Sequence, residues 1–261
     1  MTDFVILATA DWDHPLWTNK QHMALSLIDH GHRVLYIESL GLRSPRASIV
    51  DSHRILRRLL RILRPPRRVR KNLWVWSPLV VPGGTRGLVL ATNRLLVRIG
   101  LSIILRHVGF KSPLLWTYNP LSLLYLSIKD FQGSIYHCVD SIQDQPGMPS
   151  ELIQRSERDL CGVMNVVFTT APELQRRLKF LNVHTYFFGN VVDADHFRRA
   201  LELDLPCPKD LLLIPRPRIL FIGALDSYKI DFVMMEELIL NTPNWSYVLV
   251  GPIAECDAST D

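Results

Sequence analysis

The chain has 261 residues, 48% of them hydrophobic, with a net charge of +5 and four cysteines. This length accommodates one large domain or two small ones around a sizeable core, and the apolar content excludes wholesale disorder. The cysteines (Cys138, Cys161, Cys207 and Cys256) lack CxxC spacing, which excludes a zinc-ribbon or disulfide framework and suits a reducing cytosol.

Met-Thr-Asp leads straight into the first strand, without the basic n-region and long h-region of a signal peptide. Phe4–Ala10 is a continuous apolar run, as in a parallel strand covered on both faces. A loop at Asp11–Trp17 and a helix near Thr18–His30 follow, with Gly31 as the C-cap. Arg33–Glu38 reads as the next strand. A helical stretch at 52–64 precedes strand Leu73–Ser77, a Pro-Gly-Gly loop and a long helix of about Leu88–His107. Leu95–Val108 is the longest candidate for a membrane span, but Arg98, Arg106 and His107 interrupt it, so no spanning helix is expected.

Strands are then expected at Leu114–Tyr118, Ser134–Val139, Val163–Thr169 and His184–Phe188, with helical patterns at 120–129, 150–161 and 172–180. The alternation implies an α/β fold with a doubly wound parallel sheet over about 1–195. Residues 196–216, with Leu205-Pro-Cys-Pro and Ile214-Pro-Arg-Pro, read as a linker, because closely spaced prolines sustain neither helix nor central strand. Pro217–Gly223 is a strand running into a glycine turn. A loop with Asp226 and Lys229, a helix at Phe232–Leu240 and a strand at Trp245–Gly251 complete one βαβ unit over 217–261. Two Rossmann-like domains facing each other across a cleft would suit an enzyme that uses a sugar nucleotide.

Arg54, Arg57, Arg58, Arg61 and Arg64 fall within about 120° of one another on a helical wheel, opposite six aliphatic residues. A solvated basic face and a membrane-surface helix both fit this pattern. Near anionic headgroups each arginine contributes about 1 kcal/mol. Nucleic acid is not expected, because no aromatic platform or recognised motif accompanies the charge.

Ligands of open α/β sheets bind beyond the carboxyl ends of the strands. Asp11, Asp13 and His14 follow the first strand, where they could contact an acceptor hydroxyl. His137 and Asp140 end the strand at 134–139 and could hydrogen-bond a sugar or orient a hydroxyl for attack. Ordinary loop residues and a satisfied buried pair are the plain alternatives for these two groups. Gly223 and Lys229 could hold a diphosphate together with helix N-terminal amides, although a lone loop lysine is usually just solvated. Gly83-Gly84-Thr85-Arg86-Gly87 matches neither GxGxxG nor GxxxxGKS and reads as a turn. The absence of GxSxG, HExxH and EF-hand patterns argues against common hydrolase and metal sites.

Taken in order, several stretches resemble the GT-B-fold glycosyltransferases, which transfer sugars from nucleotide donors. Trp17-Thr-Asn-Lys-Gln-His-Met-Ala-Leu-Ser-Leu and His30-Gly-His-Arg-Val-Leu-Tyr-Ile-Glu38 resemble the family's first helix and second strand. Ile135-Tyr-His-Cys-Val-Asp140 resembles its strand ending in aspartate. Glu157 with Val166-Val-Phe-Thr-Thr-Ala-Pro-Glu-Leu174, and Phe188-Gly-Asn-Val-Val-Asp193 with His196-Phe197, resemble two later segments. Ile219–Leu225, Lys229-Ile-Asp and Pro243–Pro252 resemble the start of the donor domain. The chain departs from the family pattern at Asn165, Ala171, Val191 and Ala224, where relatives carry Asp, Ser, Gly and Arg.

The resemblance implies sugar transfer from a UDP- or GDP-sugar to a hydroxyl, in polysaccharide or lipid-linked glycan synthesis. It implies a cytoplasmic chain at the inner face of an anionic membrane, with a glycan or lipid-linked acceptor. No metal or cofactor is expected if Lys229 and helix-terminal amides hold the diphosphate. The family's paired-glutamate segment would lie beyond Asp261, which leaves open a truncated, inactive membrane-surface partner of another glycosyltransferase. A different Rossmann-type nucleotide-binding protein is disfavoured by the missing dinucleotide fingerprint.

Overall fold

The computed structural model describes residues 1–14, 17–40, 66–81, 87–202, 205–227 and 229–253. The chain divides into two compact units, Met1–Val192 and Asp193–Asp261. The arginine face (Arg54, Arg57, Arg58, Arg61 and Arg64) and most of the 83–87 turn lie outside the described residues.

The first unit is built on eight strands: β1 (Asp3–Leu7), β2 (Arg33–Ile37), β3 (Arg67–Arg70), β4 (Leu73–Trp76), β5 (Leu114–Thr117), β6 (Gly133–Cys138), β7 (Val166–Thr169) and β8 (Thr185–Phe187). Their order across the sheet is β3-β4-β2-β1-β5-β6-β7-β8. Every pair is parallel except β3–β4. Strand β1 is buried along its whole length, as its unbroken apolar run requires of a strand covered on both faces.

Helices cover both faces. Helix α1 (Asn19–Asp29) connects β1 to β2 and sets Ala24 in a cluster with Phe4, Ile6, Val34 and Tyr36. On the other face lie α2 (Gly87–Val108), the short α3 (Ser122–Tyr125), α4 (Ser150–Val163) and α5 (Pro172–Lys179), over Val5, Leu7, Leu35 and Tyr136. This is the doubly wound α/β arrangement that the alternating pattern implied. At the amino edge, Arg33 grips Asp3 through two hydrogen bonds of 2.7 and 2.8 Å, and Asp3 also accepts from the Lys111 amide.

Strand β3 has no counterpart among the expected strands; it is made by Arg67, Arg68, Val69 and Arg70. They form an antiparallel edge, and Asn72, at φ 67°, makes the tight return to β4. Charged residues on an edge strand discourage further strand pairing, so a polar run here masks a strand. Arg68 lies 5.7 Å from the centre of the Trp74 ring.

Helix α2 is longer than the Leu95–Val108 stretch considered for a span. It begins at Gly87, and its 22 residues are long and apolar enough for a crossing, at about 33 Å. It does not act as a free span, however, because Asn93, Val97, Leu101 and Ile104 are buried against the sheet side. Gly100 permits that approach: a Cβ there would fall 2.7 Å from the Trp76 ring. Asn93 also exchanges two hydrogen bonds with the backbone of Val81.

In the second unit, short helices α6 (Ala194–Arg198) and α7 (Lys209–Leu212) occupy part of the proline-rich stretch. They precede β9 (Arg218–Ile222), α8 (Phe232–Asn241) and β10 (Ser246–Val250). The two strands pair in parallel, from Arg218–Ser246 to Ile222–Val250, and the Gly223 amide donates to the Val250 carbonyl at 2.9 Å. Gly251 has φ 151°, and a Cβ on it would fall 1.8 Å from the Gly223 oxygen, so only glycine fits.

Under the α2–α5 face, the buried Glu157 carboxylate accepts from the Tyr136 hydroxyl at 2.7 Å and pairs with Arg177 of α5. Replacing Glu157 with Ala strands both partners. We expect a loss of about 3 kcal/mol in urea unfolding, discounted for the partial exposure of Arg177. A loss below about 1 kcal/mol would contradict this pairing.

Candidate functional site

Chain direction across the sheet reverses between β1 and β5: β2 and β4 lie to one side of β1, and β5 to β8 to the other. The carboxyl ends of β1 and β5 therefore mark the switch point, where open α/β sheets usually hold a ligand in a crevice. The residues most in need of explanation gather there.

Tyr118 follows β5, and His137 lies near the end of β6. Their rings stack with centroids 4.9 Å apart. Trp116 and Phe168 flank the imidazole at 5.9 and 6.0 Å. Tyr118 is 1% exposed and His137 is 4% exposed. The Tyr118 hydroxyl, the Trp116 indole nitrogen and both His137 ring nitrogens have no hydrogen-bond partner among the described residues. Each buried polar group without a partner costs about 1–3 kcal/mol. Four such atoms at the ligand edge of a sheet mark a place where stability is sacrificed to something other than folding.

Lys20, in the first turn of α1, sets its ammonium 5.9 Å from the centre of the Tyr118 ring. Burial pushes its pKa down, and the nearby Asp140 carboxylate acts in the opposite sense. Burial and, secondarily, the Lys20 charge push the His137 pKa down to about 4, so the imidazole is neutral at neutral pH. Burial drives the Tyr118 phenol up; the Trp116 indole pulls weakly the other way without reaching hydrogen-bond geometry. The result is a neutral imidazole and a neutral phenol with open hydrogen-bonding capacity, beside a cation and a carboxylate. Such a site can hold a polyhydroxylated ligand by its hydroxyls and orient one of them.

The crevice is clasped from the far edge of the sheet. After β8 the chain returns toward α1, where Asn19 donates to the Asn190 side chain and accepts from the Val191 amide at 2.8 Å. On the way Phe188 packs edge-on against Phe168 at 5.2 Å. The loop after β1 is held by Glu38, which accepts from the Trp12 amide at 2.8 Å and from the Ser77 hydroxyl. Trp12 packs on Trp17 and Tyr36, with both centroid separations 5.1 Å.

Of the residues expected from the sequence, His137 and Asp140 come together with Lys20 at the crevice. His137 is buried within the aromatic group, and Asp140 is exposed two residues beyond β6. Asp13 pairs with Arg67 of the edge strand β3, and both are well exposed. Asp11 is half-buried; its carbonyl accepts from the Gln21 side chain, and its charge reaches Tyr36. His14 is exposed, and its amide donates to the Asp11 carbonyl.

Lys20, Trp116, Tyr118, Asn19 and Glu38 carry no role in the sequence reading. Lys20 had a legible signal, since a cation in the first turn of a helix opposes the helix dipole and needs a reason to be there. The aromatic residues carried none, because they are indistinguishable from ordinary core in a strand.

In the second unit, Gly223 ends β9 and Lys229 lies exposed in the turn before α8, its amide donating to Asp226. Asp231 caps α8 by accepting from the Met234 amide at 3.0 Å. That carboxylate occupies the end where a diphosphate would otherwise meet helix amides, so the cationic share of such a site falls on Lys229.

No family model and no curated protein matches the chain. Among solved structures, it is similar to sucrose-phosphate synthase from Thermosynechococcus elongatus, with TM-score 0.47 and 10% identity over 77% of this chain and 95% of that one. It is also similar to UDP-N-acetylglucosamine 2-epimerase from Rickettsia bellii, with TM-score 0.49 and 12% identity over 98% and 70%. A third is LpCGTa in complex with UDP, with TM-score 0.38 and 10% identity over 97% and 71%. All three scores lie under 0.5, and the fold assignment rests on the chain's own strand order and helix placement. In chain order, a doubly wound Rossmann-like unit followed by a second βαβ is the GT-B-like succession that the sequence resemblance implied.

The His137 shift fixes a pH dependence. Its folded pKa of about 4 lies below the ordinary 6.5, so the unfolded chain binds the extra proton first, and stability falls as pH drops from 6.5 toward 4. At pH 5 this term amounts to ~2 kcal/mol relative to pH 8. His137→Gln should remove that share of the slope in urea unfolding measured across the range. An unchanged slope would mean that His137 titrates normally.

Proposed function

We propose that the chain is a glycosyltransferase that moves a sugar from a UDP- or GDP-sugar to a hydroxyl acceptor. Its place is in polysaccharide or lipid-linked glycan synthesis at the cytoplasmic face of an anionic membrane. The observation that carries this reading is the group of buried, unpartnered polar atoms on Trp116, Tyr118 and His137 beside Lys20 and Asp140, at the switch point of the sheet. Aromatic faces with a few convergent hydrogen-bonding groups are the chemistry that recognises a sugar or glycoside. The ordered resemblance of the sequence to GT-B-fold enzymes supports the same reading.

Asp140 is assigned the acceptor proton because it is exposed just beyond β6, whereas His137 is buried among aromatic rings. The neutral His137 serves to hold a hydroxyl in place. In the reaction, the acceptor oxygen bonds to the anomeric carbon while the bond from that carbon to the diphosphate oxygen breaks. The nucleoside diphosphate leaves with the electron pair, and the hydroxyl proton passes to Asp140. Lys229 and the Gly223 turn are the second unit's candidates for contact with a diphosphate.

The test is transfer of radiolabel from each UDP- or GDP-sugar into a lipid or glycan fraction by the full chain. Asp140→Asn should lower kcat about 10²–10⁴-fold while leaving donor affinity in place. Lys229→Ala should weaken donor binding instead. Turnover within twofold of wild type in Asp140→Asn would contradict the role of that carboxylate. Binding of a nucleotide-sugar without transfer to any acceptor would favour an inactive partner of another glycosyltransferase.

A further inference from the structure

Helix α2 presents two unlike faces. Asn93, Val97, Leu101 and Ile104 are buried. On the outward side Leu95, Ile99 and Ile103, one turn apart, are 59%, 50% and 61% exposed, and Leu88 extends the stripe toward the amino end. Side chains this large and apolar, aligned along about 22 Å of helix, form an exposed patch that requires a partner.

The charges beside the stripe identify the kind of partner. All three arginines of α2 are exposed: Arg106 lies on the side of the stripe and Arg98 and Arg94 on its flank, and the 22 residues contain no Asp or Glu. Arg94 donates to the Leu124 carbonyl at 2.9 Å, and Arg98 reaches Asp130 at 3.6 Å with both side chains half-exposed. Aliphatic side chains flanked by arginines complement an acyl boundary beneath anionic headgroups. A crossing is excluded, since one face of the helix is packed on the sheet and Arg94 and Arg98 would each cost about 2.5–3.5 kcal/mol at mid-bilayer.

We infer that the outward face of α2 is a membrane-docking surface that lies in the plane of an anionic bilayer and inserts Leu95, Ile99 and Ile103 among the acyl chains. This rests on the membrane placement in the proposed function and assigns it to an element distinct from the arginines of 54–64.

The two contributions separate by salt, because charge attraction is screened and apolar insertion is not. The full chain is floated with phosphatidylglycerol–phosphatidylcholine vesicles and with phosphatidylcholine vesicles, at low and high salt. The wild type should bind the anionic vesicles and keep a salt-resistant fraction. Ile99→Glu/Ile103→Glu should lose about tenfold or more in partitioning and all of that fraction. Ile103→Ser, at a position exposed enough to spare the fold, should lose a smaller share, with near-UV circular dichroism unchanged.

Equal binding by wild type and both variants, or binding wholly abolished by salt in the wild type, would overturn α2 as the docking surface and leave the membrane placement standing. No binding of the wild type to either vesicle would overturn both. A lipid-free dimer that Ile99→Glu/Ile103→Glu converts to monomer would show that a second copy covers the stripe, which also overturns the inference.

Discussion

The first unit depends on the pairing of β1 with a parallel neighbour on each side. Its backbone groups are satisfied by β2 and β5, and its residues are buried on both faces. Because β1 is first in the chain yet lies between β2 and β5, the chain builds outward on one side and then crosses back to build β5–β8 on the other. The crevice at the carboxyl end follows from that topology rather than from any special loop. The amino ends are tied by the Arg33–Asp3 clamp, so stability and site occupy opposite edges of one sheet.

That division sets the energetics of the crevice. Under α2, α4 and α5, Glu157 accepts from Tyr136 and pairs with Arg177, although the Arg177 Nη2 has no partner among the described residues. Around His137 a stacked phenol and imidazole are sealed from solvent with their polar atoms unpaired. Burial keeps both groups neutral, and the adjacent Lys20 charge reinforces this at the imidazole. The same desolvation that weakens the fold leaves unused donors and acceptors for a ligand that brings its own hydroxyls.

Much of the sheet was legible in the sequence because strands buried on both faces announce themselves as apolar runs, as Phe4–Leu7 and Leu114–Thr117 do. Strand β3 was not legible, since an edge strand made of arginines reads as a solvated charge run. The outward apolar stripe of α2 was hidden for a different reason. The stripe depends on the angular separation of the helix's two faces, which arginines interspersed along Leu95–Val108 obscure. At the site, His137 and Asp140 could be found from their position after a strand, whereas Tyr118 and Trp116 could not. Nothing in a sequence distinguishes a core aromatic from one whose polar atom lacks a partner. Lys20 lay between these cases, visible only through its unfavourable place in the first turn of a helix.

The central claim is that the unpaired atoms around His137 receive the hydroxyls of a sugar-bearing ligand. Nitrogen-15 spectra of the His137 imidazole, recorded while alkyl glucosides, galactosides and mannosides are titrated into the full chain, test it most directly. The account predicts a saturable movement of the ring-nitrogen resonances with at least one glycoside at neutral pH, with the ring remaining uncharged. Resonances that stay fixed through every titration would contradict it.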